Sequence, residues 1–454
     1  MRNKARPYVS FLGLLLAGMF ALSVPAPTAP AQARPPAVDA KMRAEVVQKV
    51  GDLLVGQYVF PEKGKAMKDF LDKQLAEKKY DTLTDVREFA QALTRDIQSV
   101  TKDRHLRVAF NPDEVRRIRA RNGQSAEDRA KEAKEALERQ RQENFGFRKV
   151  EILDGNIGYL NLLSFSGARE AGDTIVAAMN FLANANAVII DLRDNGGGAA
   201  LAIKLICSYF LPEETHINSW EWRGRDGIVQ SWSLPYVPGR MMFDKDLYIL
   251  TSRRTFSAAE EFTADLKNQK RATIVGETTG GGAHPGGTRI VNDDFTVWIP
   301  TGRAINPVSK TNWEGTGIEP DISVPRDKAL DKAHLTAVSR LLEKPGEEAV
   351  KQSLKWAHDG LLARLEPPPV DLETLKKYTG RYGEVVVTLE NGILFVQTGS
   401  SKLKLIPASA SLFVPEGVDG PRVEFRTGEN GRITEAVAHF RNGRTEAYPR
   451  TPKE

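Results

Sequence analysis

Two short segments of this 454-residue chain carry residue types and spacings suited to nucleophilic catalysis. In Thr255-Phe256-Ser257-Ala258-Ala259-Glu260-Glu261-Phe262, a serine falls just after an apolar strand-like run and at the start of a helix-like run. A hydroxyl there gains from the positive potential of a helix start, and the Ala258 N–H is placed to serve as an oxyanion donor. Ser-x-x-Glu is also a capping box, so Ser257 reads equally as a helix cap. In Asp191-Leu192-Arg193-Asp194-Asn195-Gly196-Gly197-Gly198, a buried strand ends, three glycines follow and a helix begins. Glycines leave backbone N–H groups open to close approach, so this turn suits an anion or a developing oxyanion; a plain strand-to-helix turn is the other reading. Nucleotide motifs fail on spacing. The third glycine of G-x-G-x-x-G would fall at Leu201, and Gly276-x4-Gly281 is followed by Gly282 rather than lysine.

A serine nucleophile needs a base, and histidine is the usual one. His105 follows Thr101-Lys102-Asp103-Arg104, and His284 lies in Gly280-Gly281-Gly282-Ala283-His284-Pro285. His216, His334, His358 and His439 stand apart from other chemical groups and read as surface or packing residues. No histidine pair has metal-ligand spacing, so the sequence calls for no metal and no cofactor. The single cysteine, Cys207, sits in the apolar run LAIKLICSYF and reads as a small core residue.

Several elements must position these groups. Residues 41–100 carry apolar positions at helical spacing (Val46, Val50 and Leu54; then Met67 and Leu71; then Phe89, Leu93 and Ile97) and predict a helical module ending near His105. The stretch 113–144 is charged throughout, with Glu127/Lys131 and Glu135/Arg139 pairs suited to a solvated helix or a lid. From Gly158 onward, strands such as AVIIDLR and DLYILTS alternate with helices such as SAAEEFTADLKN, which predicts an α/β core with a mainly parallel sheet. GGTRIV and FTVWIP suggest a hairpin near its end, and 339–366 reads as helix. Beyond residue 372 short strands separated by Gly- and Asn-containing turns predict a small antiparallel barrel or sandwich. The expected division is 1–33 signal peptide, 34–110 helical module, 111–145 charged linker, 146–330 core, 331–370 helical linker and 371–454 β-rich domain.

Composition sets the limits. Hydrophobic residues make up 41% and charged residues 27%, so collagen-like and wholly disordered readings are excluded. The formal charge of +5 includes Arg2, Lys4 and Arg6 near the N-terminus, which leaves too weak an excess to argue for nucleic acid. Those basic residues, the apolar run at 8–24 and Ala31-Gln32-Ala33 form a cleavable export signal, which predicts a periplasmic or secreted protein with no stable membrane insertion once the signal is removed.

Taken in order, LTRDIQSVTKDRHLRVAF, VIIDLRDNGGG, YILTSRRTFSAAEEF, ATIVGETTGGGAHPGG and NWEGTGIEPDISV resemble the tail-specific (C-terminal processing) serine peptidases. The nearer match is the branch with the tricorn protease core and interphotoreceptor retinoid-binding protein. The resemblance implies a crotonase/ClpP-like α/β core. It makes Ser257 the nucleophile, with Gly196 or Gly197 and Ala258 as oxyanion donors. Where one branch carries the lysine of a Ser–Lys dyad, this chain has Gly282; the tricorn-like branch uses a histidine instead, and His105 matches it. A serine precedes that histidine in the branch, but Arg104 stands here, so both Asp103 and Glu314 are open as the group orienting His105. Glu314 is the candidate for the branch's glutamate. Only the charged stretch 113–144 occupies the place of a PDZ module, so recognition of a substrate C-terminus by such a module is not expected.

The expected function is an exported serine peptidase acting on a peptide or protein substrate, with His284 as the second choice of base. The alternative is a non-catalytic binder of hydrophobic ligands such as retinoids or lipids, in which Ser257 is only a cap and His105 a packing residue. The sequence specifies no oligomeric state.

Overall fold

The computed structural model describes residues 37–418 and 420–452, so the expected signal peptide lies outside the described residues. Three helices open the chain: α1 (Ala40–Gln57), α2 (Pro61–Ala76) and α3 (Val86–Thr101). Asp39 and Asp85 cap α1 and α3 by accepting backbone N–H groups of the first turn, and α2 starts on a proline. Val46, Val50, Leu54, Met67, Leu71, Phe89, Leu93 and Ile97 are all fully buried in one cluster. After His105 the chain runs into a strand, β1 (Arg107–Phe110). The charged stretch is two helices, α4 (Pro112–Gly123) and α5 (Ala126–Gln142). They part where Ser125 caps α5, a helix with no buried residue.

The core alternates strands and helices: β2 (Phe147–Leu153), β3 (Ile157–Leu162), α6 (Ala168–Leu182), β4 (Ala187–Asp191), α7 (Ala200–Ser208), β5 (His216–Trp222), β6 (Ile228–Trp232), β7 (Asp246–Thr251), α8 (Ala258–Asn268) and β8 (Ala272–Gly276). Then come β9 (Gly286–Ile290), β10 (Phe295–Pro300), β11 (Gly302–Ile305) and β12 (Ile322–Ser323). One sheet runs in the order β12-β8-β7-β4-β3-β2, parallel except for β2 against β3. Its central strands are continuous apolar runs because both faces are covered. Helices α6, α7 and α8 pack on one face. The other face is covered by α9 (Ala329–Glu343) and α10 (Glu348–Leu365). The helical pattern read over 339–366 begins ten residues earlier and breaks at Pro345-Gly346.

Two smaller sheets frame the site. β9 and β10 form the expected hairpin, but β1 joins it antiparallel to β10, and Phe295, Val297 and Ile299 enter the core of the helical module. The helical module and the α/β core are thus joined by a shared sheet. β11, β5 and β6 form an antiparallel sheet that the sequence reading did not anticipate.

After α11 (Leu372–Tyr378), eight antiparallel strands follow in chain order from β13 (Gly380–Tyr382) to β20 (Thr445–Pro449). A bridge between Tyr382 and Arg450 and a 2.8 Å bond from the Thr451 N–H to the Arg381 carbonyl bring the two edges together. Closing the meander leaves few open edges. Among the described residues, no helix is long and apolar enough to cross a membrane.

Candidate active site

The two motif turns sit at the carboxyl ends of the adjacent parallel strands β4 and β7, where open α/β sheets place their ligands. They are stitched to each other. The Thr255 hydroxyl donates to the Leu192 carbonyl at 2.8 Å, and the Phe256 N–H donates to the Asn195 carbonyl at 3.1 Å. The Asn195 side chain spans the turn, donating to the Leu162 carbonyl at 3.0 Å and accepting from the Gly197 N–H at 2.8 Å.

That last bond bears on the expected oxyanion donors. The Gly197 N–H is already engaged by Asn195, so Gly197 serves by closeness instead. A Cβ there would lie 2.9 Å from the Ser257 Cβ and 3.0 Å from the Ala258 nitrogen, at a φ of 110°. Gly196 faces open space, whereas Gly198 lines the same cavity as Ser257 and Ala258.

Ser257 has a φ of 54° and a ψ of −121°, a conformation that a non-glycine residue holds only under constraint from its surroundings. Glu260 supplies that constraint from one turn on. Its carboxylate accepts from the Ser257 N–H at 3.0 Å, from Gly281 and Gly282 at 2.7 Å each, and from the Thr279 hydroxyl. Burial pushes the Glu260 carboxyl up to about 7 against those donors. The Glu260 N–H goes to the backbone carbonyl of Ser257 at 2.8 Å.

His105 reaches this cluster from the end of the helical module. Its ring packs on Phe256 with centroids 4.6 Å apart, and a Cβ added at Gly282 would lie 2.6 Å from its Cε1. The His105 ring therefore abuts the position at which a dyad lysine would start. Its Nδ1 is buried without a hydrogen-bond partner, and burial lowers its pKa, partly offset by Asp103. Among the described residues, no hydrogen bond links Ser257 to His105.

Behind His105 lies a buried polar hub. Asp103 is fully buried; it accepts the His105 N–H at 3.0 Å, the Tyr58 hydroxyl at 3.0 Å and His284 Nδ1 at 2.8 Å. His284 is 4% exposed and packed edge-on against Phe60, so it is bound into the hub, and it does not line the cavity at Ser257. Glu314 accepts from the N–H groups of Arg104 at 3.2 Å and Ala283 at 2.6 Å, and lies 3.4 Å from His284 Nδ1. Burial, then the charge of Asp103, raises the Glu314 pKa. Ligand atoms of Asp103, His105 and Glu314 lie within 4.8 Å of one another, close enough to share a cation. Both carboxylates open to His105 in the sequence thus lie near it, but neither bonds its Nδ1. Arg104, at the branch's serine position, donates from its guanidinium to the Gly280 carbonyl at 2.7 Å.

The cavity beside Ser257, about 180 Å³, is walled by Trp220, Trp222 and Trp313 and has Glu261 in its lining. Trp220, Trp222, Trp313 and Glu261 carried no site role in the sequence reading, and Glu260 entered it only as the glutamate of a capping box. The one available signal was the acidic pair Glu261 and Asp265, one helical turn apart among Phe262, Ala264 and Leu266. Cys207 is fully buried on α7, and burial pushes its thiol up.

Residues 156–324 match the family model described as peptidase family S41, and residues 37–153 match that of the N-terminal domain of peptidase S41 in eukaryotic IRBP. A carboxyl-terminal-processing protease of Picosynechococcus is 33% identical over 127 residues, 28% of this chain and 29% of that protein. The chloroplastic carboxyl-terminal-processing peptidase 2 of Arabidopsis thaliana is 27% identical over 181 residues, 39% of this chain and 33% of that one. The chain thus spans about a third or less of the length of these relatives. A solved structure of a candidate peptidase from Parabacteroides merdae is 20% identical, with a TM-score of 0.45, over 67% of this chain and 98% of that one. With two adjoining matches that together cover more than half its length, the chain belongs to peptidase family S41.

Proposed function

We propose that this chain is an exported serine-type peptidase that hydrolyses peptide bonds, with Ser257 as nucleophile and His105 as general base. The reading is carried by the backbone of Ser257, held at positive φ at a helix start beside an aromatic cavity. A helix cap needs no such conformation, and a binder of hydrophobic ligands gives no reason for it.

In this reading the Ser257 Oγ attacks the peptide carbonyl carbon while its proton passes to His105. The oxyanion accepts from the N–H groups of Ala258 and Gly198. The C–N bond then breaks, and His105 returns the proton to the leaving amine. Water repeats the sequence on the acyl-enzyme, giving the acid and free Ser257. Glu314 and Asp103 act as positioning residues for His105. The Ser257–His105 contact closes when substrate enters, as catalytic hydrogen bonds do. We assign the sheet and its helices a crotonase/ClpP-like core, residues 146–330, and a periplasmic or secreted location.

A fluorophosphonate probe should label the parent and not Ser257→Ala, and the variant should lose at least a thousandfold in peptide hydrolysis. Equal hydrolysis by the folded variant overturns the assignment.

A further inference from the structure

The cavity beside Ser257 contains an ionisable group that the catalytic steps do not use. Glu261 is the one charged residue in its lining, and it is 5% exposed. The Asn218 amide, 3.3 Å away, is its only hydrogen-bond donor among the described residues. One turn further along α8, Asp265 is fully buried, and neither of its carboxyl oxygens has a hydrogen-bond partner. No lysine or arginine among the described residues pairs with either carboxyl. Burial pushes both carboxyls up, and the charge of Glu261 raises Asp265 further. Two buried acids side by side without a cation are costly, and a chain with no use for them would carry apolar residues there.

The rest of the wall fits a cation. The rings of Trp220 and Trp222 lie 6.2 Å apart and tilted by 32°, and Trp313 is fixed by a 2.9 Å bond from its indole N–H to the Gly282 carbonyl. Indole faces attract an ammonium or guanidinium group and pack against a methylene stem. The volume of about 180 Å³ equals roughly six waters, enough for one long side chain.

We propose that this cavity receives a lysine or arginine side chain of the substrate, from the residue on the acyl side of the scissile bond, with Glu261 as its counter-ion. The cavity is lined by Ser257 and Ala258 themselves, so its occupant belongs to the residue whose carbonyl is attacked. This inference rests on the peptidase reading and names its substrate class.

The test uses two peptides that differ only at that residue, lysine against leucine. The parent should favour the lysine peptide at least tenfold in kcat/KM, and Glu261→Gln should reduce that ratio tenfold or more. A second measurement needs no turnover. In the Ser257→Ala chain the lysine peptide should bind at least tenfold tighter than the leucine peptide, read by tryptophan fluorescence, and Glu261→Gln should remove the difference. If Glu261→Gln does not fold, Glu261→Asp, which keeps the acid but withdraws it by one methylene, should reduce the ratio by a smaller factor. A parent that favours or binds leucine as well as lysine overturns the pocket assignment while leaving the peptidase reading intact. If neither peptide is cleaved but lysine is still bound selectively, the peptidase reading fails and the cation pocket stands.

Discussion

At the scale of single residues, the site depends on groups held in unusual states. His105 is half-buried with its pKa lowered chiefly by burial, so the neutral imidazole, the form that accepts a proton, persists to lower pH. The acid limb of kcat/KM should therefore titrate below the ordinary histidine value of about 6.5. A limb at or above that value would separate His105 from the base role. Glu260 holds the Ser257 turn and the glycine loop together through four donors. Glutamine keeps one acceptor oxygen, so Glu260→Gln should lower core stability by about 2–4 kcal/mol and reduce serine labelling with it. The pH dependence follows from its raised pKa. With a folded value of about 7 against 4.5, the folded state holds more protons across that window. The contribution of Glu260 to stability is thus lost as pH rises from 4.5 to 7. The gap in thermal midpoint between parent and Glu260→Gln should narrow over that range.

At the scale of elements, the glycine loops admit two rings where side chains would block them. Gly282 leaves room for His105 and Phe256 together, and Gly198 passes so close to the Phe165 carbonyl that any Cβ would overlap it. Gly282→Ala should displace the His105 ring, cutting kcat/KM by about a hundredfold, since misplacement of about 1 Å costs that much. Circular dichroism should remain that of the parent. An active Gly282→Ala protein would mean that the His105 ring need not occupy its observed place.

At the scale of the whole molecule, the C-terminal meander has its own core around Tyr378, Tyr382, Phe413 and Phe425. It meets the rest through discrete contacts. Arg422 lies 3.9 Å from the Trp356 ring and 3.6 Å from Asp359, and Arg441 pairs with Asp154 at 2.6 Å. None of these residues lines the cavity at Ser257. Calorimetry should resolve a separate transition for this domain, and Arg422→Ala should leave the rate of fluorophosphonate labelling within threefold of the parent. A single transition that the variant lowers as a whole would show the two parts unfolding together.

The alternation of apolar strands and helices is local, so the α/β core, the hairpin and the β-rich tail could be read from periodicity. Residue type marked Ser257, His105 and His284 as candidates, and the roles given to Ser257 and His105 came from the resemblance rather than from any local pattern. The open donor at the glycine turn could not be read, since Asn195 engages the Gly197 N–H through a side chain that only the folded turn aims. Neither could the seat of His284, which depends on Tyr58 and Asp103 meeting it from the helical module. The three-tryptophan cavity with its buried acid joins α7, β5, α8 and the loops around 283 and 313. Groups brought together from such distant segments leave no spacing in the sequence, because burial and close approach are properties of the packed chain.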